Sequence, residues 1–435
     1  GYSKLAQADF EITPMLVIGE NELVVVVHKW SEIDLLYGQS RFAMTGIVGD
    51  VLLYVHNKGS ILDYSFSFNR NEGNIDVKLA ILLAGTCDTI NISFEKDGEV
   101  LYSVSKNPEK DVMDFEFSGE FQMYFPENPC LYDLYLTAID EEGYTLECVK
   151  TKVGFKLPEL SGGFSYNGKQ VKLKGINYSC QYDAKGKLMT CEQYLKDLNL
   201  IKKFNINAIK LNVDVDPVFY EMCDELGFYV IKNSAIDLSF GRKSKKLKKL
   251  YRKDLDIIAK SIVATEYGII SNKACFTLFS FGQEDYDPIT KHAIDYMKSE
   301  ARVPLIYSDN VVEEGQIIPL FDTGVSLLLE EINDRDDKVL FLSEFARSNG
   351  IGCASLKELD EIIENAPCCM GGCISEFSDR YILGEGYDDC GIFTADRIPY
   401  SGAENVKFVY RPLRSRFVSG AKLAITNTNY FITSE

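Results

Sequence analysis

Two rhythms of hydrophobic and polar positions divide the chain. Up to about residue 155, short apolar or β-branched runs such as Leu23–His28, Val51–His56 and Val77–Leu82 are bounded by Gly, Asn and Asp. Runs of that length between turn formers predict strands. Asn57-Lys58-Gly59 and Lys96-Asp97-Gly98 supply turns, Leu131–Leu136 alternates, and Gly143 leads into Tyr144–Cys148. The spacing predicts an immunoglobulin-like β-sandwich over residues 58–155.

From about residue 170 strand-like runs alternate with helical ones. The predicted strands are Val171–Asn177, Ala208–Val213, Phe228–Lys232, Cys275–Phe281, Pro304–Ser308, Ile317–Phe321, Val339–Ser343 and Met370–Ile374. Between them lie helical patterns such as Cys191–Ile201, whose apolar stripe recurs at i, i+3 and i+4. Eight strands in such alternation match a (β/α)₈ barrel, whose usual size is roughly 250 residues. A doubly wound open sheet is the rival, and it lacks a G-x-G-x-x-G after an early strand.

Composition narrows the partners. A hydrophobic fraction of 46% in 435 residues provides for several cores, and no apolar run approaches a membrane span. The formal net charge of −19 disfavours nucleic acid and anionic membrane as partners. A basic stretch from Arg242 to Lys253 runs against this balance, but Leu247, Leu250, Leu255 and Ile258 recur there at helical spacing. It reads as a solvated helix face. Cys368, Cys369 and Cys373 form the densest of several cysteine groupings, with no histidine nearby in sequence, so buried thiols are expected rather than zinc. Such cysteine usage fits a reducing, cytoplasmic setting.

Barrel chemistry sits at the C-terminal ends of the strands. The polar residues there are Asn177, Asn212, Asp237, Glu284, Asp309, Asp322, Glu344 and Glu376. Two carboxylates facing one mouth suit glycoside cleavage, one as acid and one as nucleophile or base. Pattern alone does not single out a pair.

A series of short motifs does. Gly1-Tyr-Ser-Lys4, Phe10–Pro14, Gly19-Glu-Asn21, Lys29-Trp-Ser31 and Met44–Ile47 come first, then Val153-Gly-Phe155, Asn167-Gly-Lys169 and Lys174–Asn177. Phe279-Ser-Phe-Gly-Gln-Glu284, Leu342-Ser-Glu-Phe-Ala346, Gly371-Gly372 and Ala395–Pro399 follow in order. Taken together they resemble glycoside hydrolase family 2, specifically its β-galactosidases. The resemblance implies Glu284 as general acid/base and Glu344 as nucleophile of a retaining mechanism on terminal β-linked sugars. It also implies a multidomain β plus α/β fold. Residues 1–57 would be the second half of a sugar-binding jelly roll, 58–155 the immunoglobulin-like sandwich, 156–412 the TIM barrel, and 413–435 the opening strands of a further β-domain. On this reading the chain is a fragment or a shortened member.

Around the sugar the family pattern is broken. Ser40 stands where the jelly roll offers an aspartate, and Gln283 replaces the asparagine beside the acid/base. Phe321 replaces a tyrosine that bonds the nucleophile, Arg347 a histidine that binds hydroxyls, and Ser375 the tryptophan floor. With Asn212, these make Gln283, Phe321, Arg347 and Ser40 the expected substrate-binding positions. Asp237 and Ser239 stand at two ligand positions of the family's magnesium site, so no cofactor is expected. Lys232, at a usual aspartate position, is the candidate to supply positive charge near Glu284 instead. Arg347 is the one replacement able to clamp a carboxylate or sulfate. The expected partner is carbohydrate, with a homo-oligomer allowed and neither nucleic acid nor membrane involved. The expectation is a β-glycosidase; the alternative is a catalytically impaired relative serving as a carbohydrate-binding or structural subunit.

Overall fold

A computed structural model describes residues 9–28, 36, 47, 51–57, 59–71, 73–160, 162–179, 189–236, 255–281, 288–307, 316–334, 338–349, 352–382, 386–388, 390–420 and 422–433. The basic stretch Arg242–Lys253 lies outside these residues.

Seven strands build a sandwich: β1 (Ser60–Asn71), β2 (Asn74–Ala84), β3 (Thr89–Lys96), β4 (Glu99–Lys106), β5 (Val112–Gly119), β6 (Tyr132–Ile139) and β7 (Thr145–Val153). One sheet has the order β1-β2-β5 and the other β4-β3-β6-β7, all antiparallel. Alternation in sequence becomes alternation in burial. Val77, Leu79 and Ile81 of β2 face Ile90, Ile92 and Phe94 of β3 and Leu134 and Leu136 of β6 in one core. Period-2 patterning with one wet face produces this arrangement.

The runs Leu23–His28 and Val51–His56 depart from expectation. Among the described residues neither forms a strand, and their side chains are exposed. A β-prone run becomes a strand only when a neighbour supplies the other half of its hydrogen-bond ladder. No described residue pairs with these two.

Three short strands, β8 (Pro158–Leu160), β9 (Phe164–Tyr166) and β10 (Lys169–Gln170), lead to a closed parallel barrel. Its strands are β11 (Leu173–Tyr178), β12 (Ala208–Leu211), β13 (Tyr229–Asn233), β14 (Phe276–Ser280), β15 (Leu305–Ile306), β16 (Ile317–Phe321), β17 (Val339–Phe345) and β18 (Cys369–Ile374). All eight fall on predicted segments. The intervening helices include Cys191–Lys203, Pro217–Leu226, Leu255–Ile270, Pro288–Glu300, Val325–Asp334 and Leu356–Asn365. The first starts at a capping box, in which Thr190 Oγ1 accepts from Gln193 N and Gln193 Oε1 accepts from Thr190 N. Among the described residues no helix is long and apolar enough to cross a membrane.

One apolar layer lies between strands and helices, and another fills the lower barrel interior with Tyr229, Ile231, Leu278, Phe341 and Met370. The N-terminal end of the barrel is sealed. Tyr166 packs edge-on against Tyr229 at 5.0 Å, and Phe431 stacks on Phe125 at 4.8 Å beneath them. Glu127 holds this last segment by accepting hydrogen bonds from the backbone N–H groups of Tyr430, Phe431 and Ile432. Beyond the barrel two hairpins follow, β19 (Arg380–Ile382) with β20 (Gly386–Asp388), and β21 (Leu413–Ser419) with β22 (Lys422–Asn427).

The seam between the last and first barrel strands depends on Gly371. Its φ is +104°, and an added Cβ would lie 2.2 Å from the Leu173 carbonyl oxygen. Gly371→Ala therefore combines left-handed strain with a backbone clash. It is expected to cost about 3 kcal/mol of stability, read as a lower midpoint in calorimetric unfolding; an unchanged midpoint would show that the seam relaxes freely.

Candidate active site at the barrel mouth

Below the mouth the barrel wall is lined with apolar side chains, and at the strand ends it turns polar. Asn177, Asn212 and Asn233 end β11, β12 and β13. Their amides form a ladder: Asn233 Nδ2 donates to Asn212 Oδ1 at 3.3 Å, and Asn212 Nδ2 donates to Asn177 Oδ1 at 3.1 Å. Asn177 Nδ2 then donates to the carbonyls of Ser343 (3.1 Å) and Ile374 (3.0 Å). Buried amides require such partners, because each unpaired group costs about 1–3 kcal/mol.

The ladder ends at a distortion of β17. On one side Leu320 pairs with Leu342 but Phe321 pairs with Glu344. On the other, Leu342 pairs with Gly372 and Phe345 with Ile374. Against both neighbours β17 carries an extra residue at Ser343-Glu344, a β-bulge that redirects the side chains around it. Lys210, from β12, holds the bulge from within. Its Nζ donates to Ser343 Oγ at 2.6 Å, and since β12 and β17 are not neighbours this bond crosses the barrel interior. Burial pulls the Lys210 pKa below its ordinary 10.5, while Cys373 and Glu344 push it back up.

Glu344 emerges from the bulge half-buried. Its Oε1 accepts from Arg347 Nη2 at 2.7 Å. The intervening Ala346 has φ +52°, and Asp322, at the end of the adjacent strand, has φ +46°. Left-handed conformations in non-glycine residues cost about 1–3 kcal/mol and cluster at functional sites. Asp322 N also donates to the Glu344 carbonyl at 2.9 Å, tying the ends of β16 and β17 together.

Of the expected site residues, Glu344, Asn212, Phe321 and Arg347 meet at this mouth. Phe321 lies directly beside Glu344 in the ladder, with its ring centroid 5.9 Å from Lys210 Nζ. Both amide functions of Asn212 are engaged in the ladder. Ser375 is buried, and its hydroxyl donates to the Phe345 carbonyl at 3.3 Å. Glu284, Gln283, Asp237 and Ser40 lie outside the described residues. Lys232 behaves differently from expectation. Its ammonium is buried against the helix layer, bonded to Asp214 Oδ1 (3.0 Å), Glu266 Oε1 (3.1 Å) and the Asn233 carbonyl (2.8 Å). A strand alternates its side chains, so Lys232 points outward while Asn233 points in.

Lys210, Ser343 and Asn233 were not among the residues singled out from sequence. A signal existed for Lys210: a lysine inside the otherwise apolar run Ala208-Ile-Lys-Leu211 is costly unless it is paired. Among the described residues no group of three or more His, Cys, Asp or Glu is placed to hold a metal. The magnesium donor set read from sequence keeps one unchanged ligand, Glu284, beside the shorter Asp237 and the neutral hydroxyl of Ser239, a poor fit to near-ideal octahedral Mg²⁺. Cys369 and Cys373 are buried thiols, each pushed up to about 12 by desolvation.

A closed parallel barrel, sealed below and carrying a bulged carboxylate strand at its open end, defines the class: a (β/α)₈-barrel protein with an attached β-sandwich. Comparison with known proteins makes this specific. Residues 160–260 match the model described as Glycosyl hydrolases family 2, TIM barrel domain. The chain is 25% identical to a β-galactosidase of Priestia megaterium over 99% of its own length and 47% of the relative. It is 26% identical to that of Staphylococcus xylosus over 100% of its length and 48% of the relative. Thus the chain spans about half the length of the curated relatives it matches. Among solved structures, the β-glucuronidase of Faecalibacterium prausnitzii aligns with a TM-score of 0.65 at 19% identity, covering 81% of this chain and 66% of the other. The galacturonate-bound β-galacturonidase of Eisenbergiella tayi aligns with a TM-score of 0.64 at 16% identity, covering 82% and 73%. At these identities the structural likeness speaks to the fold. The chain is thus similar, in a barrel segment by the family model and along its length by the relatives, to members of glycoside hydrolase family 2.

Glu376, after β18, is a second buried carboxylate near the mouth. It accepts hydrogen bonds from Ser179 N, Ser179 Oγ and Phe377 N. Burial nevertheless raises its pKa above the ordinary 4.5, outweighing Arg380 and these bonds. With the folded pKa above the unfolded one, its contribution to stability is complete below pH 4.5 and is lost as pH rises through the folded value. Glu376→Gln should therefore flatten the pH dependence of stability above that point, measured by denaturant unfolding at several pH values. An unaltered pH profile would mean that Glu376 titrates as it does in the unfolded chain.

Proposed function

We propose that this chain carries the catalytic barrel of a retaining β-glycosidase of the β-galactosidase-like kind, acting on terminal β-linked sugars. The observation that supports the reading most is the bulge at Ser343-Glu344, which redirects a half-buried carboxylate at the end of the seventh barrel strand. In this reading a Glu344 oxygen attacks the anomeric carbon as the glycosidic C–O bond breaks. Glu284 gives its proton to the departing oxygen. Water then adds to the anomeric carbon, its proton returns to Glu284, and the bond to Glu344 breaks. Lys210 and the asparagine ladder hold the bulge and so fix where Glu344 stands; their role is positioning. Gln283 and Ser40 would contact the sugar beside Glu284, and Phe321 would form an apolar wall. No step is assigned to a metal. The domain limits read from sequence, 1–57, 58–155, 156–412 and 413–435, belong to the same proposal.

One observation favours a second reading. Glu344 is paired with Arg347 and the neighbouring amides are satisfied within the protein. A site so engaged also suits a relative that binds carbohydrate without turning it over, or one that serves as a structural subunit. A screen of the full-length protein with aryl β-galactoside, glucoside, glucuronide and mannoside separates the two. Glycosidase action predicts hydrolysis of at least one, with Glu344→Gln lowering kcat/KM by about 10³-fold or more. Activity that survives Glu344→Gln would remove Glu344 as nucleophile. Heat of sugar binding without turnover would establish the second reading.

A further inference from the structure

Several features of the molecule lie outside this mechanism. Lys232, Asp214 and Glu266 form a buried charge cluster between barrel and helices, with every partner structural. Asp360, Glu364, Arg414 and Lys174 fasten the hairpin β21–β22 to the barrel. The contact carried furthest by chemistry is the one between Arg347 and Glu344.

That contact engages one oxygen of the carboxylate. A carboxylate attacks best with its charge available, and a guanidinium at 2.7 Å draws on that charge by holding Glu344 Oε1 in a charge-assisted bond. The turn after β17 brings the two together. Ala346 at φ +52° turns the chain at the strand end, so that Arg347 returns onto Glu344 from three residues away. The guanidinium is not walled in: its side chain is 46% exposed, and Nη2 is its one nitrogen with a hydrogen bond among the described residues. Nearby neutral donors are differently placed. The Asn177 and Asn212 amides serve the ladder, and Ser343 Oγ accepts from Lys210. Beyond Glu344, the groups acting on Arg347 are Asp322 and Cys390. Glu344 thus lies between Arg347 and the deeper Lys210, with Asp322 also near Arg347. An anion entering beside Arg347 competes with Glu344 for the guanidinium.

We infer that Arg347 is a substrate-operated latch: it holds Glu344 in the empty site and transfers to an anionic group on the sugar, freeing the carboxylate to attack. The site accordingly selects acidic sugars, carrying a carboxylate or sulfate, over neutral ones. A planar guanidinium fork suits either group, since both present paired oxygens. The inference rests on the glycosidase reading for turnover, but the recognition it assigns to Arg347 does not require turnover.

The test compares the full-length protein with Arg347→Gln and Arg347→Lys on aryl β-glucuronide, β-galacturonide, 6-sulfo-β-galactoside, β-galactoside and β-glucoside. Binding of glucuronate, galacturonate, galactose 6-sulfate, galactose and glucose is measured alongside by calorimetry. The expected result is a preference for an acidic over the matching neutral sugar of about tenfold or more, the scale of one charge-assisted bond. In Arg347→Gln that ratio should fall about tenfold, with partial recovery in Arg347→Lys. The carboxylate and sulfate arms show which anion the site takes. Neutral preference in the unaltered protein, or a ratio unmoved by Arg347→Gln, overturns the inference. If no glycoside is hydrolysed, the glycosidase reading fails and binding alone decides. Acid-selective binding lost in Arg347→Gln upholds the role of Arg347, whereas equal binding of acidic and neutral sugars, or none, overturns it.

Discussion

The Lys210 ammonium bonded to Ser343 Oγ across the barrel interior is the constraint on which the mouth depends. A lysine in such a place is expensive to bury, and burial does depress its pKa. What it secures is a residue too many in β17. Left to itself, a strand with one extra residue can slip to a regular register. Lys210 on the hydroxyl and Asn177 on the carbonyl of Ser343 oppose that slip from two directions. The direction of Glu344 follows from it, as does the close approach of Phe321 and the tie between Asp322 N and the Glu344 carbonyl.

The rest of the barrel is arranged so that this distortion is affordable. Below the mouth the interior is apolar and packed, and Tyr166, Tyr229, Phe125 and Phe431 close the far end. The irregular backbone is thereby confined to the rim, where polar groups find partners in one another. Strain follows the same geography. Asp322 and Ala346, both at positive φ, directly follow β16 and the bulged strand β17. The sandwich joins the barrel through backbone-directed bonds, Asn272 to Tyr64 and Phe66, and Arg302 to the Phe66 carbonyl, well removed from Glu344 in the fold.

Much of this architecture was legible in the order of residues. All eight barrel strands and the sandwich strands Val77–Leu82, Leu131–Leu136 and Tyr144–Cys148 stand close to their predicted places, because buried parallel strands read as apolar runs and half-buried ones alternate. The runs Leu23–His28 and Val51–His56 have the same composition and form no strand among the described residues. A ladder requires a partner, and composition says nothing about where that partner is. Lys232 shows the other limit. Its place in the motif order suggested a charge near the mouth, yet strand alternation turns it outward to Asp214 and Glu266.

By itself, the sequence determined the alternation of strand and helix, the family resemblance, and the carboxylate at the end of the seventh strand, for these rest on local pattern and on motifs contiguous in the chain. Tertiary structure alone decided that Lys210 reaches Ser343 across 133 positions, that three asparagines from successive strands join into one ladder, and that Arg347 lies on Glu344. Each of those contacts exists because closing the barrel, or reversing the chain at Ala346, brings together groups whose encounter no local pattern encodes.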